Sequence, residues 1–115
     1  MRRTDRDAPA AAGVQALGQR ICLPAVRRLF VRFCHEVAMF PDGSEIEIAP
    51  FDLKLRNRMS GFCVTVSPMR ELFLVSIGEN RSFDVRVSSV ESFMFALDVT
   101  LAGYLAAASK AASAA

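Results

Sequence analysis

The fold of this chain is decided by residues 45–88, which read EIEIAPFDLKLRNRMSGFCVTVSPMRELFLVSIGENRSFDVRVS. Apolar and polar side chains alternate along this stretch with a period of two, and the alternation recurs four times. Because successive side chains of a β-strand point to opposite faces of a sheet, this period predicts a sheet with one buried face and one face in water.

Three of the predicted strands have a single phase of alternation. They span residues 61–67, 71–77 and 82–88, and short connections containing Asn, Ser, Pro or Gly separate them. A parallel crossover needs a dozen or more residues, so connections of this length favour antiparallel pairing in a meander. The side chains that we expect to point inward are Phe62, Val64, Val66, Phe73, Val75, Ile77, Phe83, Val85 and Val87.

The first part of the block changes phase. Apolar side chains stand at the even positions Ile46 and Ile48, but at odd positions from Phe51 to Leu55. A slip of one residue would turn the apolar side chains to the opposite face, so we expect a bulge or bend at residues 49–50 within one long strand. Pro50 removes a backbone donor, which predicts that this strand lies at an edge of the sheet.

Amphipathic helical patterns flank the block on both sides. We predict the first helix over residues 24–39, with Val26, Leu29, Phe30, Phe33 and Val37 on its apolar side. The second is predicted over residues 90–109, where Ser88 and Glu91 form a capping box. The fold class is therefore α+β: an N-terminal helix, a four- to five-stranded antiparallel meander, and a long C-terminal helix packed on one face of the sheet.

The C-terminal helix is apolar on two sides. One predicted stripe consists of Phe93, Leu97, Leu101, Tyr104 and Leu105, and a second consists of Phe95, Val99, Ala102 and Ala106. Asp98 in its middle disfavours a membrane span, because an acidic side chain at a bilayer centre costs about 2.5–3.5 kcal/mol. One sheet with two helices cannot cover both sides of this helix, so we expect the second stripe to be the interface of a homo-oligomer, specifically a dimer.

Length and composition indicate one domain. We assign residues 1–20 to a flexible or frayed arm, residues 21–109 to a single α+β domain and residues 110–115 to a tail. The net charge of the 115-residue chain is +2, well below that of a dedicated nucleic-acid binder. Three cysteines without metal-ligand spacing, and an N-terminal segment unlike a signal peptide, lead us to expect a cytoplasmic protein with free thiols.

Two basic clusters are candidate binding surfaces. Lys54, Arg56 and Arg58 share the outer face of the sheet, and Arg27, Arg28 and Arg32 lie on the first helix. Such rows can follow a phosphate backbone, but they also solvate an edge strand or a helix face, and the outer face has no aromatic side chain for base stacking. Leu72 and Leu74 are the apolar exceptions on that face. We therefore expect Leu72 and Leu74, with Lys54, Arg56 and Arg58, to form a surface for a protein partner.

No catalytic constellation stands out. Cys34 and His35 are adjacent, so on a helix they point about 100° apart and cannot act as a nucleophile and base pair. We interpret Cys34 as a small buried apolar side chain. Recognisable phosphate-loop, hydrolase and metal motifs are absent from the sequence, so no cofactor or metal is predicted. The sequence favours a small oligomeric, non-enzymatic interaction module of the bacterial adaptor or chaperone-like kind. A nucleic-acid-binding protein is the alternative.

Overall fold

The computed structural model describes residues 12–39, 44–57, 60–78 and 83–114 of the chain. Helical residues 12–18 form α1, and the elements that follow are α2 (Pro24–Ala38), β1 (Ser44–Ile48), β2 (Leu53–Asn57), β3 (Cys63–Pro68), β4 (Phe73–Ile77), β5 (Phe83–Val87) and α3 (Val90–Ala114). The five strands form one antiparallel sheet in the order β1-β2-β3-β4-β5. The predicted α+β class, with a meander between two helices, is confirmed.

The phase change in the first part of the block comes from a hairpin. Ile46 pairs with Leu55 and Ile48 with Leu53, and the Ala49 amide donates to the Asp52 carbonyl across the loop at 2.9 Å. A four-residue loop joins an even position to an odd one, so both sets of apolar side chains lie on the same face without a bulge. The prediction of one long edge strand is therefore wrong: β1 is the edge strand and β2 is internal.

The core is organised around Phe73, the first residue of β4, whose ring lies on the inner face of the sheet. Its ring lies 5.4 Å from that of Phe30 and 5.9 Å from that of Phe33, both on α2. Phe33 in turn contacts Phe93 on α3, with ring centroids 6.2 Å apart. All four rings are buried. This chain of aromatic contacts connects both helices to the same face of the sheet.

Residues 12–18 belong to the segment that we assigned to a flexible or frayed arm, and in the structure they form a helix that packs on the core. Val14, Leu17 and Ile21 are buried and belong to the hydrophobic core. Their spacing of three and four residues places them on one side of the helical segment. The Cys22 amide then donates to the Arg70 carbonyl at 2.7 Å, which attaches the end of this segment to the β3–β4 turn. Residues 1–11 lie outside the described part of the chain.

Helix α3 begins at Val90, as predicted, but its capping residues lie one position later than predicted. The Ser89 hydroxyl accepts from the Ser92 amide at 3.2 Å, and the Ser92 hydroxyl accepts from the Ser88 and Ser89 amides at 3.0 Å each. This is the reciprocal arrangement of a capping box, with Ser89 and Ser92 in the positions assigned to Ser88 and Glu91. Ser88 and Ser89 both fit the sequence pattern of a cap, because each is followed three residues later by a polar side chain, Glu91 or Ser92.

The second half of α3 approaches the sheet closely at Gly103. A Cβ atom added there would lie 2.9 Å from the Phe62 ring and 3.4 Å from the Ile77 side chain. The next residue, Tyr104, packs against the same Phe62 ring with centroids 6.0 Å apart. The absence of a side chain at position 103 therefore lets the helix lie against the end of β4.

We expect Phe73→Ala to destabilise the fold by about 3–5 kcal/mol, because it removes the ring that both α2 contacts share. The measurement is urea unfolding followed by circular dichroism. Phe83→Ala is the matched control, since Phe83 on β5 is 44% exposed and its truncation leaves no cavity. Equal losses of unfolding free energy in the two variants would contradict the packing described above.

Candidate interaction surface

Helix α3 presents one side to the rest of the chain and the other to solvent. Its fully buried positions are Phe93, Ala96, Thr100 and Tyr104. Leu101 and Leu105, which the sequence predicts on the buried stripe, are exposed instead. The pattern of large apolar residues is misleading here, because the small residues Ala96 and Thr100 lie on the inward side between Phe93 and Tyr104.

The solvent side of α3 carries several large apolar side chains. Between 41% and 66% of their surface is exposed, and the residues are Val90, Met94, Phe95, Leu101 and Leu105. Single exposed apolar residues are common, but a contiguous apolar surface along a helix is typical of an interaction site. The sequence predicted an exposed apolar side for this helix but assigned it only to the stripe that begins at Phe95.

At about 100° of rotation per residue, the exposed apolar side chains form two stripes. We call Phe95, Val99, Ala102 and Ala106 the Phe95 stripe, and Val90, Met94, Leu101 and Leu105 the Leu101 stripe. Between them lie the exposed carboxylates of Glu91 and Asp98. One partner surface across both stripes would bury these charges, and an unpaired buried charge is strongly destabilising. The two stripes are therefore separate apolar surfaces.

The four residues of the Phe95 stripe are those of the predicted oligomer interface. Phe95, Ala102 and Ala106 are exposed and Val99 is half-buried. The interface is thus accessible within one chain. Whether it is occupied by a second copy stays a prediction.

Within the described residues, the segment Val90–Lys110 is long and apolar enough to cross a membrane. An 18-residue stretch of it has a mean hydropathy of 1.4, and 22% of that stretch is buried inside the fold. The same property is found in core helices of soluble proteins. In this fold Phe93 and Tyr104 contact rings on α2 and before β3, so a spanning helix would have to withdraw both from the core. That no span forms stays a prediction.

The outer face of the sheet carries charges of both signs. Glu45 on β1 pairs in register with Arg56 on β2, and Glu47 pairs with Lys54. On β5, Asp84 and Arg86 occupy alternate positions of the same face. The outer face of β1, β2 and β5 thus carries three basic and three acidic side chains. A phosphate backbone that follows Lys54 and Arg56 would therefore meet negative as well as positive charges. Arg58 of the predicted cluster lies outside the described residues.

The middle of the outer face is filled by small side chains. Cys63, Thr65 and Ser76 are buried there, between the longer side chains of neighbouring strands. The predicted contact residues Leu72 and Leu74 are half-buried. They expose less apolar surface than the α3 stripes, and their role in binding a partner stays a prediction.

The arginines of α2 line a shallow groove of about 370 Å³, together with Gln15, Val31 and His35. Two of them have partners within the chain. Arg27 donates to the Ile21 carbonyl at 2.9 and 3.2 Å, and Arg32 lies 3.8 Å from the Glu36 carboxylate and over the Phe93 ring. Arg28 has no ion pair with any residue that the structure describes. The groove therefore offers less unpaired positive charge than the sequence suggests.

The thiol and imidazole groups do not form a reactive site. Cys34 is buried, as the sequence predicted, and burial raises the pKa of its thiol to about 12. His35, the next residue, points about 100° away around α2 and is exposed. In the described part of the chain, no three His, Cys, Asp or Glu side chains are close enough to hold a metal ion. A non-enzymatic role remains a prediction.

Comparison of the chain with protein-family models, curated proteins and solved structures finds no match.

We expect Cys22 to react rapidly with a thiol reagent in the folded protein, while Cys34 and Cys63 stay protected. Cys22 is exposed and the other two are buried. Raising the pH from 8 to 10 is not expected to make Cys34 reactive, because its pKa in the folded state is about 12. Colorimetric thiol counting before and after denaturation measures this. Rapid native labelling of a Cys22→Ser variant would contradict it.

Proposed function

We propose that this protein is a non-enzymatic interaction module that acts as a homo-oligomer, with an apolar stripe on the exposed side of α3 as its contact surface. The observation that carries the proposal is the set of large apolar side chains on this side, which are 41–66% exposed in the single chain. At about 25 cal/mol per Å² of apolar surface removed from water, association of such a surface is favourable.

Three features support this proposal over a nucleic-acid-binding role. Opposite charges face each other in register on β1 and β2, and Arg27 and Arg32 of α2 are engaged within the chain. The most exposed apolar surface, by contrast, has no described partner. The chain therefore offers a protein-binding surface of the ordinary kind more clearly than a phosphate-binding one.

The proposal predicts that the native chain sediments at twice its 12.6 kDa mass at micromolar concentration. Phe95→Glu places a carboxylate in the contact, at a cost of about 3 kcal/mol or more, so the dissociation constant is expected to rise at least about 100-fold. Analytical ultracentrifugation over a range of concentrations measures both quantities. Position 95 is exposed, so the variant is expected to fold like the native chain, which circular dichroism checks.

Met69→Glu is the matched control, because Met69 is an equally exposed apolar residue in the β3–β4 turn, away from α3. It is expected to leave the oligomer intact. A native chain that is monomeric at about 100 μM, or that binds a labelled oligonucleotide with a steep loss between about 50 and 200 mM salt, would contradict the proposal. Flotation of the folded chain with phosphatidylcholine vesicles would contradict it too, since α3 would then contact lipid.

A further inference from the structure

We propose that two copies of α3 pair antiparallel along the Phe95 stripe, with a two-fold axis passing between residues 100 and 101. This inference rests on the proposed function, in which the exposed side of α3 is the surface of self-association. It adds the occupant, a second copy of this chain, and the register of the contact.

The first argument is the spacing of the stripe. Phe95, Val99, Ala102 and Ala106 are separated by four, three and four residues. This is the alternation of a seam between two helices that pack side by side, where side chains of one helix fit between those of the other. The stripe is therefore suited to a second helix rather than to a flat surface.

The second argument is the order of side-chain sizes. The N-terminal half of the stripe holds the larger Phe95 and Val99, and the C-terminal half holds Ala102 and Ala106. Phe95 and Ala106 are equally far from the proposed axis, and so are Val99 and Ala102. An antiparallel pair thus places each large side chain opposite a small one, as close packing requires. A parallel pair would oppose Phe95 to itself and leave the alanines across a gap.

Charge is compatible with this arrangement. At about 100° per residue, the carboxylates of Glu91 and Asp98 lie on one side of the stripe and the Lys110 ammonium lies on the other. All three side chains are exposed, so they stay at the rim of the contact, in solvent.

The Leu101 stripe does not have this complementarity. Its side chains are large at both ends, from Val90 and Met94 to Leu105. A two-fold pairing along it would set large residues against each other. The size order therefore selects the Phe95 stripe for the pair.

The sharpest test exchanges the two residues that are proposed to meet. Phe95→Ala opens a gap at both ends of the pair, and Ala106→Phe opposes two rings at both ends, so each single variant is expected to weaken the dimer at least tenfold. The double variant Phe95→Ala with Ala106→Phe restores one ring opposite one alanine, and we expect it to regain most of the native affinity. All positions are exposed in the single chain, so folding is not at issue.

Dipolar spectroscopy of a spin label supplies a second measurement that does not alter the stripe. A Cys22→Ser, Ser109→Cys chain carries the label on an exposed position of α3. Because α3 rises 1.5 Å per residue, the antiparallel register predicts the labelled backbone positions about 25 Å apart along the axis, whereas a parallel pair brings them to about 10 Å.

The outcomes separate this inference from the proposed function. A native dimer whose double variant stays weak, or whose labels lie about 10 Å apart, overturns the register but leaves self-association through α3 in place. A monomeric native chain overturns both. Recovery in the double variant, with the longer distance, supports both.

Discussion

The structure depends on one constraint: a single antiparallel sheet has only one face to bury, and two helices have to share it. Helix α2 contacts Phe73 with two rings, and α3 reaches the same cluster through Phe93. Each helix can therefore bury only one side. For α2 this is sufficient, because its other side is polar. Helix α3 has apolar side chains on its remaining side as well, and this excess is the basis of the proposed interaction surface.

The architecture could be predicted from the sequence because it depends on periodicity alone. Period-two alternation identified β3, β4 and β5, and the spacing of Val26, Phe30, Phe33 and Val37 identified α2. The hairpin of β1 and β2 could not be identified from the alternation of apolar and polar residues. A bulge within one strand and a loop with an even number of residues both shift the apolar positions from even to odd numbers. The buried side of α3 was also ambiguous, since it includes the small residues Ala96 and Thr100, which a search for large apolar residues overlooks.

The basic clusters show why charge is harder to interpret than hydrophobicity. Lys54 and Arg56 form a basic row along the sequence, and only the pairing register shows that Glu45 and Glu47 lie opposite them. From the sequence alone Arg27 also looks available to a ligand, but in the structure its guanidinium donates to the Ile21 carbonyl. The exposure of the apolar side chains of α3 follows directly from the fold, whereas the charge that a basic side chain offers to a ligand also depends on its neighbours. This difference favours α3 over the basic surfaces as the contact.

The central claim is that Phe95 of one copy packs against Ala106 of another. An isotope-filtered nuclear Overhauser experiment on an equal mixture of ¹³C-labelled and unlabelled chains tests it most directly, because it detects only contacts between copies. The antiparallel pair predicts cross-peaks between the Phe95 ring protons of one copy and the Ala106 methyl protons of the other. A spectrum with no cross-peak between copies, or with cross-peaks from Phe95 to Phe95 alone, would contradict it.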